Sequence, residues 1–373
     1  MKILHAFHHY KPYRGGTETV IEELSKALKK QGHECKVICL NKSPGSKQKL
    51  KASESFTEAE VERISFIDLK HYKLAPFRLS KLQDFDLVHV HGLGFFADYL
   101  ALTKPLHKIP LVLSTHGGIF HTKQLSPIKK IYFSKLAKQT LKAFSKIIAV
   151  SKNDKKLFLQ IADKKKITLI ENGIGERFFS KSKRKRKKNF FLYFGRLAKN
   201  KGLFDLLNAF AVFKTKTGKG KLIIAGQDVE GISQDLKKIA KILDVEKNVA
   251  ILGEISDSEL QKLLSETEFF VSASKYEGFG ITALEAMAAG LIPILNNIES
   301  FKEFVRESQA GFVVNFSNIE KTVLKMKKAS NLRESEKEKI KQNAKSYALK
   351  FGWDKKAKEY VKIYKEAWGR NEK

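Results

Sequence analysis

Short apolar runs alternate with longer amphipathic stretches along most of the chain. Ile3–Phe7 reads as a strand, Gly15 and Gly16 open a helix that runs through Lys30, Gly32 ends it, and Glu34–Leu40 reads as the next strand. Two parallel strands need a crossover helix between them, so this is a βαβ unit. Leu87–Val90, Leu111–Ser114, Ile147–Val150 and Ile167–Ile170 continue the strand series. A helix is expected over Pro127–Phe144, and Ser151 with Asp154 three residues on has the form of a helix N-cap. Strands that alternate with helices predict a parallel sheet covered on both faces.

The rhythm breaks at residues 181–188, Lys-Ser-Lys-Arg-Lys-Arg-Lys-Lys, where seven of eight positions are cationic. Like charges repel, so this block is expected to be a solvated linker. Beyond it the rhythm resumes. Strands are expected at Phe190–Phe194, Leu222–Ala225, Val249–Leu252, Phe269–Val271 and Ile292–Leu295. Helices fall at Leu203–Phe213, Gln234–Leu243, Ser258–Leu264 and Ile281–Ala289, and from Glu334 onward the chain reads as polar helix broken at Phe351-Gly-Trp353. The expected organisation is therefore one domain over 1–180, a linker over 181–188, and a second domain over 189–350. A terminal helix over 351–373 is expected to pack back toward the first domain. A length of 373 residues suits two domains. Two doubly wound sheets facing across a cleft would bind ligands at the carboxyl ends of their strands.

Charge and cysteine content narrow the setting. Lys and Arg number 71 against 40 Asp and Glu, a net charge of +31. That excess fits attraction to anionic partners and equally fits solvated Lys-rich helix faces. The two cysteines, Cys35 and Cys39, sit four apart on one strand, roughly 13 Å between Cα atoms. A disulfide spans no more than about 7 Å, so they are expected to be reduced, which favours the cytoplasm. The opening apolar run is too short for a signal peptide, and no stretch approaches the ~18 apolar residues of a membrane span.

Three loops carry candidate chemistry. In Lys11-Pro-Tyr-Arg-Gly-Gly-Thr-Glu18, Gly15 and Gly16 lie between the first strand and its helix. They serve a tight turn or an anion at the helix start equally well. In Phe194-Gly-Arg-Leu-Ala-Lys-Asn-Lys-Gly202, Arg196 and Lys201 sit in a loop feeding a helix. A fork-shaped guanidinium and a point-charge ammonium together suit a diphosphate. In Ser274-Lys-Tyr-Glu-Gly-Phe-Gly-Ile-Thr-Ala-Leu-Glu285, Glu277 lies in a glycine-rich loop and Glu285 about one turn into the next helix. The amides near Phe279, Gly280 and Ile281 begin that helix, where an anion is favoured.

The spacing Glu277–Glu285 resembles the E-x7-E motif of the retaining GT-B glycosyltransferases gathered in family four. The resemblance extends along nearly the whole chain through Gly15-Gly16, Ser114-Thr-His-Gly-Gly118, Glu171-Asn-Gly-Ile174, Gly195-Arg196 with Lys201-Gly202, and the long motif. It implies an α/β fold of GT-B type, with two Rossmann-like doubly wound parallel-sheet domains. It also implies transfer of a hexose from a nucleotide-diphosphate sugar with retention of configuration. Arg196 and Lys201 would then bind the donor diphosphate, Glu285 the ribose hydroxyls and Glu277 the transferred sugar. Gly16 would border the phosphates, and His116 would sit beside the sugar and leaving group. No cofactor is implied, and no metal is required, because cations and helix amides can stabilise the departing nucleoside diphosphate.

Within the family, Tyr276–Ile281 with Gly290–Ile294 is most similar to α-mannosyltransferases that extend polyprenyl-diphosphate-linked saccharides from GDP-mannose. UDP-glucose-dependent glycosylation of diacylglycerol is the competing reading. A sugar epimerase or phosphorylase of the same fold, and a nucleic-acid binder, are remoter. No zinc finger or RNP motif is present, and nucleic acid is not an expected partner. Asp84-Phe-Asp86 mimics a metal-binding D-x-D but immediately precedes a strand. His89 and His91 share a strand face without a Cys, Asp or Glu partner at metal-ligand spacing. His8-His9 ends the first strand, on the expected acceptor side. Lys129, Lys130, Lys135, Lys138, Lys142 and Lys146 interleave with Ile131, Phe133, Leu136, Leu141 and Phe144. Such a stretch suits an anionic membrane surface or an ordinary helix packed on its sheet. The resulting expectation is a cytoplasmic enzyme, peripheral on the inner membrane face, with a lipid-linked or saccharide acceptor.

Overall fold

The computed structural model describes residues 1–13, 15–69, 72–116, 132–179 and 186–369, with side chains of 132–134 excepted. The chain divides into two compact units, Ile174–Gly352 and the remainder. Lys129, Lys130 and Ile131 of the basic stretch, and residues 181–185 of the expected linker, lie outside the described residues.

Among the described residues the first unit holds ten strands: β1 (Lys2–Ala6), β2 (Glu34–Leu40), β3 (Ser53–Ser55), β4 (Glu60–Ile64), β5 (Ile67–Asp68), β6 (Lys73–Leu74), β7 (Leu87–His91), β8 (Leu111–Ser114), β9 (Lys146–Ala149) and β10 (Ile167–Leu169). Eight of them form one sheet in the order β10-β9-β8-β7-β1-β2-β4-β3, while β5 and β6 pair separately. All pairs in the large sheet are parallel except β3 with β4. Strand order reverses on either side of β1, so β1 and β7 flank the point where a doubly wound sheet opens to ligands. The helix Gly16–Lys30 follows β1 and buries Val20, Ile21, Leu24 and Leu28. This apolar stripe at helical spacing is what holds it on the sheet. Strand β4 was not anticipated from sequence: Glu60, Glu62 and Arg63 break its apolar run, and Arg63 is buried by pairing with Glu54 and donating to the Lys11 carbonyl.

The terminal helix Trp353–Trp368 belongs to this first unit and contacts the Gly16–Lys30 helix, β7 and β8. Its Trp353, Tyr360, Ile363 and Tyr364 are buried. Lys146, counted above among surface cations, is instead buried and paired with Glu366 of this helix. Lys135, Lys138 and Lys142 are exposed, as is Leu136, whereas Leu141 and Phe144 are in the core.

The second unit carries β11 (Lys187–Phe194), β12 (Lys221–Ala225), β13 (Val249–Gly253), β14 (Thr267–Ser272), β15 (Ile292–Asn296) and β16 (Phe312–Val314). They form an all-parallel sheet in the order β13-β12-β11-β14-β15-β16. One face packs Phe191, Leu206, Phe210 and Phe269; the other packs Phe194, Phe270, Leu284 and Phe301. The basic block therefore ends in structure and not in linker. Lys187 and Lys188 begin β11, and Arg186 donates to the carbonyls of Thr267 and Ala289. The units divide at Gly173/Ile174, several residues before the cationic run, and again at Gly352/Trp353. Phe178 after that division is buried in the second unit's core, which draws the segment ahead of the cations into that domain.

Candidate active site

In the second unit the order reverses between β11 and β14, and the loops leaving these two strands carry the candidate donor residues. After β11, Gly195 N–H donates to the Ala225 carbonyl at 3.0 Å and Leu197 N–H to the Gln227 carbonyl at 2.8 Å. The Tyr193 hydroxyl donates to the Arg196 carbonyl at 2.9 Å. These bonds fix the loop backbone while leaving the Arg196 side chain exposed. Gly202 has φ +64°, and a Cβ there would lie 2.2 Å from the Ala273 carbonyl oxygen. Only glycine lets the loop after β11 approach the loop after β14 this closely.

Lys201 and Glu277, 76 residues apart, meet as an ion pair: Nζ lies 2.9 Å from each carboxylate oxygen. Both side chains are largely buried, at 12% and 14% exposure, so water screens the pair less than a surface pair. Gly280, with φ +95°, caps the helix Ile281–Ala288, and a Cβ there would strike Phe301 at 2.9 Å. Phe279 is not a ligand-facing side chain; its ring is buried against Phe304 and Phe351. Any contribution from Phe279 to an anion must come from its backbone, and Gly280 and Ile281 add amides at the same helix start. Glu285 is the fifth residue of that helix and is buried.

In the first unit, Gly15 and Gly16 begin the helix that follows β1. A Cβ on Gly15 would fall 2.3 Å from Glu18 Oε2, whereas a Cβ on Gly16 would meet open space. An acid thus already rests against this helix start, where negative charge is favoured. Arg14 of the same motif lies outside the described residues, as do Gly117 and Gly118.

His116 follows β8 and is tied to histidines on two other strands. The β1–β7 register sets His5 beside His89, and β7 carries His91 two residues on. His91 Nδ1 lies 2.9 Å from His116 Nε2, and His91 Nε2 lies 3.0 Å from His5 Nδ1. His89 engages Ser114 Oγ and the Tyr364 hydroxyl, both at 2.8 Å. Burial drives the pKa values of His5 and His116 down to about 3 and those of His89 and His91 well below the usual value. All four rings are therefore neutral at physiological pH. His5, His89 and His91 lie close enough to share a metal ion, yet both nitrogens of His89 and of His91 already have protein partners. Asp86 of the D-x-D look-alike accepts from the Lys2 amide at 2.8 Å and so anchors the start of β1. A concavity of about 660 Å³, lined by Lys2, His33, Cys35 and Asp84 among others, lies at the amino ends of these strands, opposite to Gly15 and His116.

Sequence reasoning paired His89 with His91 on one strand face, named His116 apart from them, and missed His5, Ser114 and Tyr364 as their partners. The signal was available in outline: His5 and the His-x-His of β7 become neighbours once β1 and β7 are adjacent in the sheet.

Residues 14–177 match the family described as Glycosyltransferase Family 4, and residues 175–347 match Glycosyl transferases group 1. A GDP-mannose:cellobiosyl-diphosphopolyprenol alpha-mannosyltransferase of Xanthomonas oryzae pv. oryzae is 32% identical over 99% of this chain and 98% of its own length. The protein of that name from Komagataeibacter xylinus is 33% identical over 99% of this chain and 94% of its own. Among solved structures, a glycosyltransferase of Rickettsia africae superposes with a TM-score of 0.77 at 21% identity, covering 98% of each chain. A sucrose-phosphate synthase of Thermosynechococcus elongatus gives 0.78 at 16% identity, covering 99% of each. These two likenesses establish the fold.

Proposed function

The chain belongs to the group 1 and family 4 glycosyltransferases, and from that premise we propose that it transfers mannose from GDP-mannose, with retention, to a polyprenyl-diphosphate-linked saccharide. It is a hexosyltransferase of GT-B fold. Full-length similarity to two proteins named for that donor and acceptor supports the finer reading. The observation that carries it in this chain is the convergence, where β11 and β14 part, of Arg196, Lys201, Glu277 and the helix start at Gly280.

Each residue has a role that its chemistry supports. As the glycosidic bond to the leaving phosphate breaks, negative charge grows on the nucleoside diphosphate. Arg196, Lys201 and the amides of Phe279, Gly280 and Ile281 would offset that charge with groups already oriented, and no metal is needed for it. Glu285 would hold the ribose hydroxyls and Glu277 those of the transferred sugar. In the first unit, Gly15 and Gly16 would border phosphate, and His116 would contact the sugar or leaving group. A nearby donor phosphate oxygen can take the acceptor proton, so no separate general base is required.

The acceptor's lipid and the exposed Lys135, Lys138 and Lys142 support peripheral attachment to an anionic cytoplasmic membrane surface. Among the described residues, no helix is long and apolar enough to cross a membrane. Flotation with anionic and neutral vesicles at moderate salt tests this; equal absence from both would remove the membrane role.

The donor is tested by thermal stabilisation with GDP, UDP, ADP and dTDP in the presence of EDTA. A ligand at 100 times its Kd adds about 2.7 kcal/mol to stability, a readily seen shift. GDP-selective stabilisation is expected. A UDP-selective shift would replace the donor and favour glucosyl transfer to diacylglycerol, and no shift with any nucleotide would overturn the assignment of the donor loops.

A further inference from the structure

His116, His91 and His5 form an unbroken series of ring-to-ring hydrogen bonds running inward from the end of β8. A neutral imidazole has one donor and one acceptor nitrogen. Burial keeps all three rings neutral. Two bonds in series through three such rings must therefore point the same way, and only two arrangements exist. Either every ring donates toward His116, or every ring donates away from it.

The inner end of the series distinguishes them. His5 is fully buried, and its Nε2 has no hydrogen-bond partner among the described residues. If the bonds ran inward, His5 Nδ1 would accept from His91 and the proton of His5 would be stranded on Nε2. If they run outward, His5 Nδ1–H donates to His91 and only a lone pair is left at Nε2. Orphaned buried N–H groups are the rarer and costlier case. At the outer end, His116 sits at φ +44°, a conformation seldom taken by a non-glycine residue and one that persists where surroundings impose it.

We propose that His5 and His91 are positioning residues that lock His116 into the Nδ1–H tautomer. Its Nε2 is then occupied as an acceptor from His91, and its one remaining function is to donate from Nδ1. In this state His116 cannot serve as a general base. It can hydrogen-bond an oxygen gaining negative charge or a hydroxyl of the sugar, and that catalytic consequence rests on the transferase reading above.

The test is ring ¹⁵N NMR of the full chain labelled with ¹⁵N-histidine, at pH 7.5 and without substrates, with His116→Gln used to assign the signals. The wild-type spectrum should show His116 protonated on Nδ1 and bare on Nε2. A proton on Nε2 would overturn the proposal, whatever the variants do. His91→Leu should release His116 toward the Nε2–H form and lower turnover about 10- to 100-fold, the usual loss when an orienting partner is removed. His91→Asn, whose amide N–H replaces the Nδ1–H, should restore the original tautomer and recover part of the turnover. If His91→Leu folds and leaves the His116 spectrum unchanged, the series does not set the tautomer. Because the spectrum needs neither donor nor acceptor, a correct tautomer with no nucleotide binding would refute the transferase reading and leave the relay standing.

Discussion

Lys201 and Glu277 neutralise one another across 76 residues of sequence, with Nζ 2.9 Å from both carboxylate oxygens. In the assigned roles these two side chains address different parts of the donor, phosphate and sugar. Each partner must then exchange the other for the ligand when the donor binds. Glu277→Gln preserves shape but removes the competing charge. It should leave GDP binding equal or tighter by calorimetry while turnover falls about 10- to 100-fold, the value of a charge-assisted hydrogen bond. Lys201→Ala should lose both. Marked weakening of GDP binding in Glu277→Gln would show that the pair supports the nucleotide site and does not compete with it.

Arg196 and Glu285 separate charge stabilisation from recognition. The Arg196 backbone is fixed by Tyr193 while its side chain projects exposed, so Arg196→Ala should leave the fold intact. Turnover should drop about 10²-fold or more, as when one preorganised charge-stabilising donor is lost. Glu285→Ala should chiefly raise the Kd for nucleotide. Near-normal turnover in Arg196→Ala would refute its role at the diphosphate.

The alternation of strand and helix was legible because each strand is a short apolar run and each crossover helix has a stripe at helical spacing, as in Val20, Ile21, Leu24 and Leu28. The loops after β11 and β14 were legible from Gly202, Gly280 and the spacing of Glu277 and Glu285. The domain division was not. Residues 181–188 look like a linker by charge alone, yet Arg186 satisfies two carbonyls of the second unit, an interaction only tertiary structure reveals. The fate of Lys146 was hidden in the same way, since its partner Glu366 is 220 residues away. Strands β3 to β6 escaped notice because their few residues are mixed in polarity, as in Glu60, Glu62 and Arg63 of β4.

The buried histidines make the protein acid-sensitive. Burial lowers His5 and His116 to about 3 and His8 to about 4, and holds His89 and His91 well below 6.5. The unfolded chain binds protons near pH 6.5 while the folded chain does not, so the unfolded state binds more protons and stability rises with pH. Stability is thus full above about pH 6.5 and falls steadily as pH drops toward 4, each histidine contributing up to about 1.4 kcal/mol per pH unit. Melting temperatures measured from pH 8 to 5 should be flat at first and then decline steeply. A curve level down to pH 5 would mean that these rings are accessible to protons in the folded state.

Gly202 gives the sharpest test of how the donor loop is built. It follows Lys201 directly, adopts φ +64°, and would place a Cβ 2.2 Å from the Ala273 carbonyl oxygen. That oxygen belongs to backbone, so no side-chain rotation relieves the clash. Gly202 also caps the helix Leu203–Thr217, whose Leu203, Leu206, Leu207 and Phe210 anchor one face of the second unit. The loop is the softer of the two elements, so the Gly202→Ala chain should yield there and carry Lys201 away from Glu277. Its melting temperature should fall modestly, since left-handed strain on alanine costs about 1–2 kcal/mol. GDP stabilisation should be lost almost entirely, and lost more completely than in Lys201→Ala, because Arg196 shares the displaced loop. Retention of normal GDP binding by Gly202→Ala would show that the close approach of these two loops is not what aligns the cations.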